Sequence, residues 1–309
     1  MPSIAVLIPC YNEEIAIPSV IADFRAVLPD AKIYVCDNNS TDRTVEVAKA
    51  AGAIVRHETL QGKGNVVRRL FADVEADIYV LVDGDATYEA AAAPAMIARL
   101  TSERLDMVNG ARVEQENAAY RAGHRFGNWV LTEMVGQLFG KRTHDMLSGY
   151  RVFSRRFVKS FPALARGFEI ETELTVHALE LRMPIAEMPT EYRSRPVGSV
   201  SKLSTYKDGW RILVTISTLM KQERPMLFFG LAAVVLACAS FGVAVPVIET
   251  YLKTHLVPRL PSAVLAVGLM LLAFLSSTCG FVLETVTRGR QELKRLAYLS
   301  IPATGDDDA

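Results

Sequence analysis

The chain has 309 residues, half of them apolar, and carries 34 Lys plus Arg against 34 Asp plus Glu. That length fits one large domain or two smaller ones, and the lack of a basic excess excludes a general electrostatic hold on nucleic acid. Four scattered cysteines, with no Cys-x-x-Cys pair, exclude a disulfide scaffold and give no sign of zinc.

Five short β-branched runs, Ile4–Ile8, Ile33–Cys36, Ala53–Arg56, Ile78–Val82 and Met107–Asn109, read as strands. Between them Ile17, Val20, Ile21, Phe24 and Val27 recur at helical spacing, as do Val66, Val67, Leu70 and Phe71. The alternation predicts an α/β fold, an open and mostly parallel sheet with helices on both faces. Ligands of such sheets bind outside the carboxyl ends of the strands.

The first strand ends in Pro9-Cys10-Tyr11-Asn12-Glu13-Glu14, the second in Asp37-Asn38-Asn39-Ser40-Thr41-Asp42, and the fourth in Asp83-Gly84-Asp85. Three polar clusters therefore fall on one sheet edge. Helix capping by Asn12, and by Ser40 or Thr41, accounts for single residues. It leaves Asp37, Asp83 and Asp85 unexplained, because carboxylates gathered together repel unless a cation or donor groups neutralise them. Two acids flanking a glycine at a strand end offer hard oxygen ligands, which suit Mg²⁺ or Mn²⁺ shared with phosphate oxygens. Gln61-Gly62-Lys63-Gly64 opens the helix after the third strand, where the helix dipole and a lysine form an anion site.

Arg112, Arg121, Arg125, Lys141, Arg142 and Arg151 follow the acidic motif and supply positive charge suited to phosphate. Glu169, Glu171 and Glu173 are spaced too unevenly for one helical face. They read as mostly structural, with Glu171 the one candidate for touching a sugar or metal. His57, His124, His144 and His177 read as surface or core residues, His144 beside Asp145 being the one of interest.

Two stretches, Met226–Ile248 and Pro261–Leu283, each have 23 residues and no Asp, Glu, Lys or Arg. A helix needs roughly 20 such residues to cross a bilayer core, so both read as spans. Lys207, Arg211, Lys221 and Arg224 precede the pair, and Arg288, Arg290, Lys294 and Arg295 follow it, whereas the connector holds only Lys253 and Arg259. That bias places both outer flanks in the cytoplasm. Thr205–Arg224 sets Trp210 and apolar residues among basic ones, the pattern of a helix lying in the headgroup layer. Ser3–Pro9 is too short for a signal peptide and lacks a basic lead-in. In the reducing cytosol, Cys10, Cys36, Cys238 and Cys279 read as small core or membrane residues.

Taken in order, Pro9-x-Tyr11-Asn12-Glu13, Asp37-x-x-Ser40-x-Asp42-x-Thr44, Gly62-Lys63-Gly64 and Asp83-x-Asp85 resemble family-2 glycosyltransferases of the GT-A fold. The likeness continues through Asn109-Gly110-Ala111-Arg112, Asp145-x-x-Ser148-Gly149-Tyr150-Arg151, Arg195-x-x-Gly198 and Ser201-Lys202-Leu203, covering roughly the first 205 residues. Within that family the chain is most similar to polyprenyl-phosphate glycosyltransferases, typified by dolichyl-phosphate mannose synthase. The resemblance implies an inverting, metal-dependent transferase that moves a sugar from a UDP- or GDP-sugar to a polyprenyl phosphate. Pro9, Tyr11, Glu13 and Asp37 would hold the nucleoside, with Asn38, Gly62, Lys63 and Gly84 completing the donor site. Asp83 and Asp85 would hold Mg²⁺ or Mn²⁺ and the diphosphate. Arg112 would act at the reacting centre, and Arg112, Arg125, Arg151, Arg195, Ser201 and Lys202 would face the two phosphate groups. Asn38 stands where many relatives carry Asp, and Thr87 where they often carry Gln.

The division expected is a catalytic domain over 1–204, a juxtamembrane helix over 205–225, two spans within 226–290 and a cytosolic tail over 291–309. The enzyme would sit in the cytoplasmic membrane with its catalytic domain in the cytosol. The sugar, the lipid chain length and any homo-oligomer are left open by the sequence.

Overall fold

The structure is a computed structural model and describes residues 2–114, 136, 145–164, 167, 169–193, 218, 220, 221 and 223–303. The chain forms two units. One comprises Met1–Trp210 with Leu293–Ala309, and the other Arg211–Glu292.

The first unit is built on strands β1 (Ile4–Cys10), β2 (Lys32–Asp37), β3 (Ile54–His57), β4 (Ile78–Leu81), β5 (Met107–Glu114), β6 (Arg151–Ser154) and β7 (Ile185–Tyr192). They form one sheet in the order β3-β2-β1-β4-β6-β5-β7. Strands β1 to β4 are parallel, as are β5 and β7; β6 alone runs antiparallel to its neighbours β4 and β5. The five expected strands are all present, β1, β2 and β5 being longer than read. Strands β6 and β7 carried no clear signal, since Arg151 opens the first and Glu187, Pro189 and Glu191 interrupt the second.

Period-two alternation on β1 explains how the sheet is covered. Val6 and Ile8 face one core with Ile17, Val20, Ile21 and Phe24 of α1 (Ile17–Val27) and with Met96 and Leu100 of α4 (Ala93–Ser102). Ala5 and Leu7 face the other, with Val66, Val67, Leu70 and Phe71 of α3 (Lys63–Asp73), Phe157 of α5 (Arg155–Ser160) and Leu174 of α6 (Ile170–Glu180). A short helix α2 (Thr44–Ala50) links β2 to β3. Each buried Leu, Ile or Phe contributes about 1.5–3 kcal/mol, so the two cores hold the strand ends in fixed register.

The chain from Leu293 onward belongs to this unit. Lys294 Nζ lies 2.6 Å from Glu180 Oε2, and Tyr298 donates its hydroxyl to Asp106 Oδ2 at 2.8 Å. The Arg156 guanidinium sits 4.9 Å above the Tyr298 ring and also bonds the fully buried Asp106.

The second unit is a pair of helices, α7 (Pro225–Thr254) and the part of α8 (Leu260–Leu299) up to Glu292. By length and composition both are long and apolar enough to cross a membrane. Both outrun the 23-residue spans read from the sequence. Helix α7 continues through Pro246, and Thr250 Oγ1 donates to the Pro246 carbonyl at 2.8 Å. The buried residues of α8 in this unit, Ala266, Ala273, Gly280 and Thr287, recur every seven positions. Ser240 donates to the Ala266 carbonyl at 2.7 Å and Ser276 to that of Phe229 at 2.9 Å, so the helices run antiparallel along a seam of small residues.

Candidate active site

Parallel pairing of β1, β2, β3 and β4 carries their carboxyl ends to one edge, with Cys10 opposite Asp37 and Asp37 opposite His57. The polar residues after β1 and β2 mostly bond across to the other loop, while Asp42 also accepts from the Thr44 N–H that opens α2 at 3.0 Å. Asn12 accepts from the Thr41 N–H at 2.8 Å, and Ser40 Oγ accepts from the Asn12 N–H at 2.9 Å. Thr44 Oγ1 accepts from the Glu13 N–H at 2.9 Å and Asp42 from the Glu14 N–H at 3.1 Å. The two loops are thus stitched together by side chains, and neither N-cap residue of α1 or α2 caps its helix with its side chain. Asn12 and Asn39 take positive φ, which asparagine tolerates better than most residues.

Asp37 is buried at the floor of this double loop. It accepts from the Ser40 N–H at 3.3 Å, and His57 Nδ1 lies 3.5 Å from its other oxygen. Pro9, Tyr11 and Glu13 line the β1 side and are each partly exposed. The neighbouring Asn38 explains its own departure from the common carboxylate. Its amide nitrogen donates to the Glu58 and Leu60 carbonyls, both at 2.9 Å, while its oxygen accepts from the Gly62 N–H at 2.7 Å. A carboxylate has no proton to give those two carbonyls. Asn38 therefore fixes the loop that delivers Gly62 and Lys63. Glu58 braces the same loop: the Leu60 N–H, together with Arg69 and Arg68, holds its carboxyl below the usual range.

Lys63, the first residue of α3, reaches into the edge and touches two acids. Its ammonium lies 2.5 Å from Asp83 Oδ1 and 2.5 Å from Glu171 Oε1. Burial opposes charge on this lysine, but the two carboxylates outweigh it and hold its pKa above the ordinary value. Glu171 is buried, which pushes its carboxyl upward against the pull of Lys63, and its Oε2 has no hydrogen-bond partner among the described residues. The acidic run on α6 is thus not uniform, and Glu171 belongs to the site through Lys63.

Asp83 is boxed from the other side by the backbone of Gly149, where a Cβ would collide with its carboxylate. Gly84 is glycine because β1 passes close by, a Cβ there falling 2.7 Å from Cys10 Sγ. Its role in the structure is close packing within the edge. Thr87 donates its hydroxyl to Asp85 Oδ1 at 2.6 Å and its N–H at 3.2 Å. The residue that replaces the expected glutamine therefore orients Asp85. Among the described residues no group of three or more His, Cys, Asp or Glu side chains forms a metal cluster. Two carboxylates with hard oxygens, one of them 29% exposed, fit a cation whose remaining ligands are phosphate and water oxygens.

Arg112 and Arg151, both expected to face phosphate, part ways in burial and partners. Arg112 makes a two-pronged pair with Asp145, at 2.7 and 2.8 Å, and lies 5.5 Å over the Tyr192 ring. Burial would raise the Asp145 carboxyl, but this pairing keeps it below the usual range. Arg151 is fully buried. It donates to the carbonyls of Ser148 at 3.0 Å and Met146 at 2.6 Å, and to Thr175 Oγ1 at 2.9 Å. Its place as a phosphate ligand is corrected: its donors are spent on holding the 146–148 turn, which sets Gly149 against Asp83. His177 is a core residue packed against Phe157 and Phe161, and burial, with Lys294 adding, lowers its pKa to about 3. Arg121, Arg125, His124, Lys141, Arg142, His144, Arg195, Ser201, Lys202 and most of 205–225 lie outside the described residues.

A family model described as glycosyl transferase family 2 matches residues 5–161, about half of the chain. Glycosyltransferase AglJ of Haloferax volcanii is 34% identical over 244 residues, 78% of this chain and 80% of that protein. A dolichyl-phosphate hexose transferase of the same organism is 29% identical over 221 residues, 72% of this chain and 95% of its own. Among solved structures, glucosyl-3-phosphoglycerate synthase of Mycobacterium tuberculosis with Mn²⁺, uridine diphosphate and phosphoglyceric acid superposes with a TM-score of 0.57. It is 25% identical, with 71% of this chain and 78% of that one covered. The chain belongs to glycosyl transferase family 2, carries the GT-A fold, and is a glycosyltransferase.

Proposed function

We propose that the enzyme transfers one sugar from a UDP- or GDP-sugar to a polyprenyl phosphate at the cytoplasmic face of a membrane, with inversion at the anomeric carbon. The observation that carries this reading is the sheet edge, where Asp83 and Asp85 stand beside Lys63 and the stitched Asp37 loops. A relative named a dolichyl-phosphate hexose transferase supports a lipid-phosphate acceptor. The two apolar helices support membrane attachment. Lys294 and Tyr298, which follow the second of them, bond to Glu180 and Asp106, which supports a hairpin whose outer flanks share one side. The basic bias of those flanks makes that side the cytoplasm.

In this reading Pro9, Tyr11, Glu13 and Asp37 surround the nucleoside, and Gly62 and Lys63 meet the diphosphate. Asp83 and Asp85 hold Mg²⁺ or Mn²⁺. A bound divalent cation supplies neutralisation of the charge that builds on the departing nucleoside diphosphate. An acceptor phosphate oxygen forms the new bond to the anomeric carbon as the bond to the diphosphate breaks. The second proton of a phosphomonoester leaves near pH ~6, so the nucleophile is already ionised at neutral pH and needs no strong general base. Arg112, held by Asp145, presents positive charge toward the two phosphate groups, joined by Arg125, Arg195, Ser201 and Lys202. Domain bounds of 1–204, 205–225, 226–290 and 291–309 go with this proposal, the last segment folding back onto the catalytic unit up to Leu299.

Purified full-length protein in detergent, with MnCl₂, a panel of labelled UDP- and GDP-sugars and a short polyprenyl phosphate, tests the reading. One donor should deliver label to the phosphate lipid and none to the matching polyprenol or to diacylglycerol. Transfer to diacylglycerol or polyprenol instead, or to no lipid at all, would contradict it.

A further inference from the structure

Lys63 occupies Asp83, one of the two carboxylates assigned to the divalent cation, and is held there by Glu171 on the opposite side. The lysine side chain is only 10% exposed, so its charge is little screened by water. A divalent cation approaching Asp83 alone must displace this ammonium and then lie beside it. Like charges at such a spacing disfavour each other strongly where solvent is scarce. The conflict disappears when a diphosphate arrives with the cation, since Lys63 then gains a new anion while Glu171 keeps hold of its other side.

We propose that Lys63, anchored by Glu171, makes cation binding at Asp83 conditional on the arrival of a diphosphate. Lys63 neutralises Asp83 before the donor binds and passes to the diphosphate when the cation takes Asp83. Glu171 is a positioning residue: it touches neither cation nor donor, and it keeps the lysine paired during the exchange. The turn at Gly149, fixed by Arg151, limits the exchange to one carboxylate oxygen, because Asp83 has no room to swing toward β6. This inference rests on the donor-edge reading above and adds to it an order of binding.

Mn²⁺ binding to the full-length protein in detergent, followed by the electron paramagnetic resonance signal of free Mn²⁺, provides the test. It is run with MnCl₂ alone and with UDP or GDP added. In the wild type, Mn²⁺ alone should bind at least about tenfold more weakly than with the diphosphate that fits. Lys63→Met should tighten binding of Mn²⁺ alone by about tenfold and shrink the gain from nucleotide. Glu171→Gln should act in the opposite direction, weakening Mn²⁺ alone because the lysine then rests on Asp83 only. Near-ultraviolet circular dichroism checks folding, and if Lys63→Met fails to fold, Glu171→Gln carries the test by its sign. Equal or weaker binding of Mn²⁺ alone in folded Lys63→Met, or tighter binding in Glu171→Gln, would overturn the coupling while leaving the donor edge standing. No Mn²⁺ binding by the wild type with either nucleotide would overturn both.

Discussion

Phe153 and Phe274 carry the same side chain, yet Phe153 is fully buried in β6 while Phe274 on α8 leaves 67% of its surface uncovered. Around Phe153 the aromatic rings of Phe71 and Phe157 close in at 5.8 and 4.5 Å, as expected for a core driven by water. Around the helix seam the order is inverted, with Ala266, Ala273 and Gly280 inside and Phe, Leu and Val outside. On the proposed membrane reading, hydrocarbon solvates the large apolar groups, and the seam is held by close backbone approach and by hydroxyls such as Ser240 and Ser276. One sequence thus contains two burial rules, and the solvent decides which applies.

The sharpest way to break this contrast is to make one substitution in both places. Phe153→Ala should cost about 3–5 kcal/mol of catalytic-unit stability, whereas Phe274→Ala should stay within about 0.5 kcal/mol. Thermal unfolding in detergent reads both, and similar losses at the two sites would contradict an outward-facing apolar surface. A charge probes the same surface from the other direction. Leu271→Lys, on an exposed position of α8, should disfavour insertion by about 3–4 kcal/mol, seen as a fall in the membrane-integrated fraction.

His177 gives the catalytic unit a pH signature. Its folded pKa of about 3 lies below the ordinary 6.5, so the unfolded chain binds the proton first. Stability is unaffected above pH ~6.5 and declines as pH falls toward the folded value, by roughly 2–3 kcal/mol at pH ~4.5. His177→Leu should flatten that decline in an acid titration of the melting temperature; an unchanged slope would refute the assignment. A smaller effect is expected at Asn38. Asn38→Asp leaves the Glu58 and Leu60 carbonyls without their donor, costing about 1–3 kcal/mol and raising the donor KM by displacing Lys63. Partial recovery at lower pH, where the new carboxyl regains a proton, would distinguish this hydrogen-bond loss from a general packing defect.

Much of the donor edge was legible because its residues are local: each polar cluster directly follows a β-branched run, and parallel pairing does the rest. What escaped is long-range. Nothing near Glu171 announces that Lys63, 108 positions earlier, is its partner. Arg151 read as a phosphate ligand because sequence cannot show that backbone carbonyls and Thr175 absorb its donors. The apolar runs marked both long helices but not their ends, since α8 keeps helical geometry well beyond Leu283 and reaches Asp106 through Tyr298. Capping explanations for Asn12 and Ser40 failed for a related reason, as each side chain bonds a neighbouring loop in preference to its own helix.

The most direct measurement is anomalous diffraction at the manganese edge from crystals of the full-length enzyme grown with MnCl₂ and UDP or GDP. A single peak bonded to oxygens of Asp83 and Asp85 and to the diphosphate, with Lys63 moved from Asp83 onto phosphate, is the predicted result. A nucleotide bound with no peak at that pair, or a peak held by other side chains, would contradict the account.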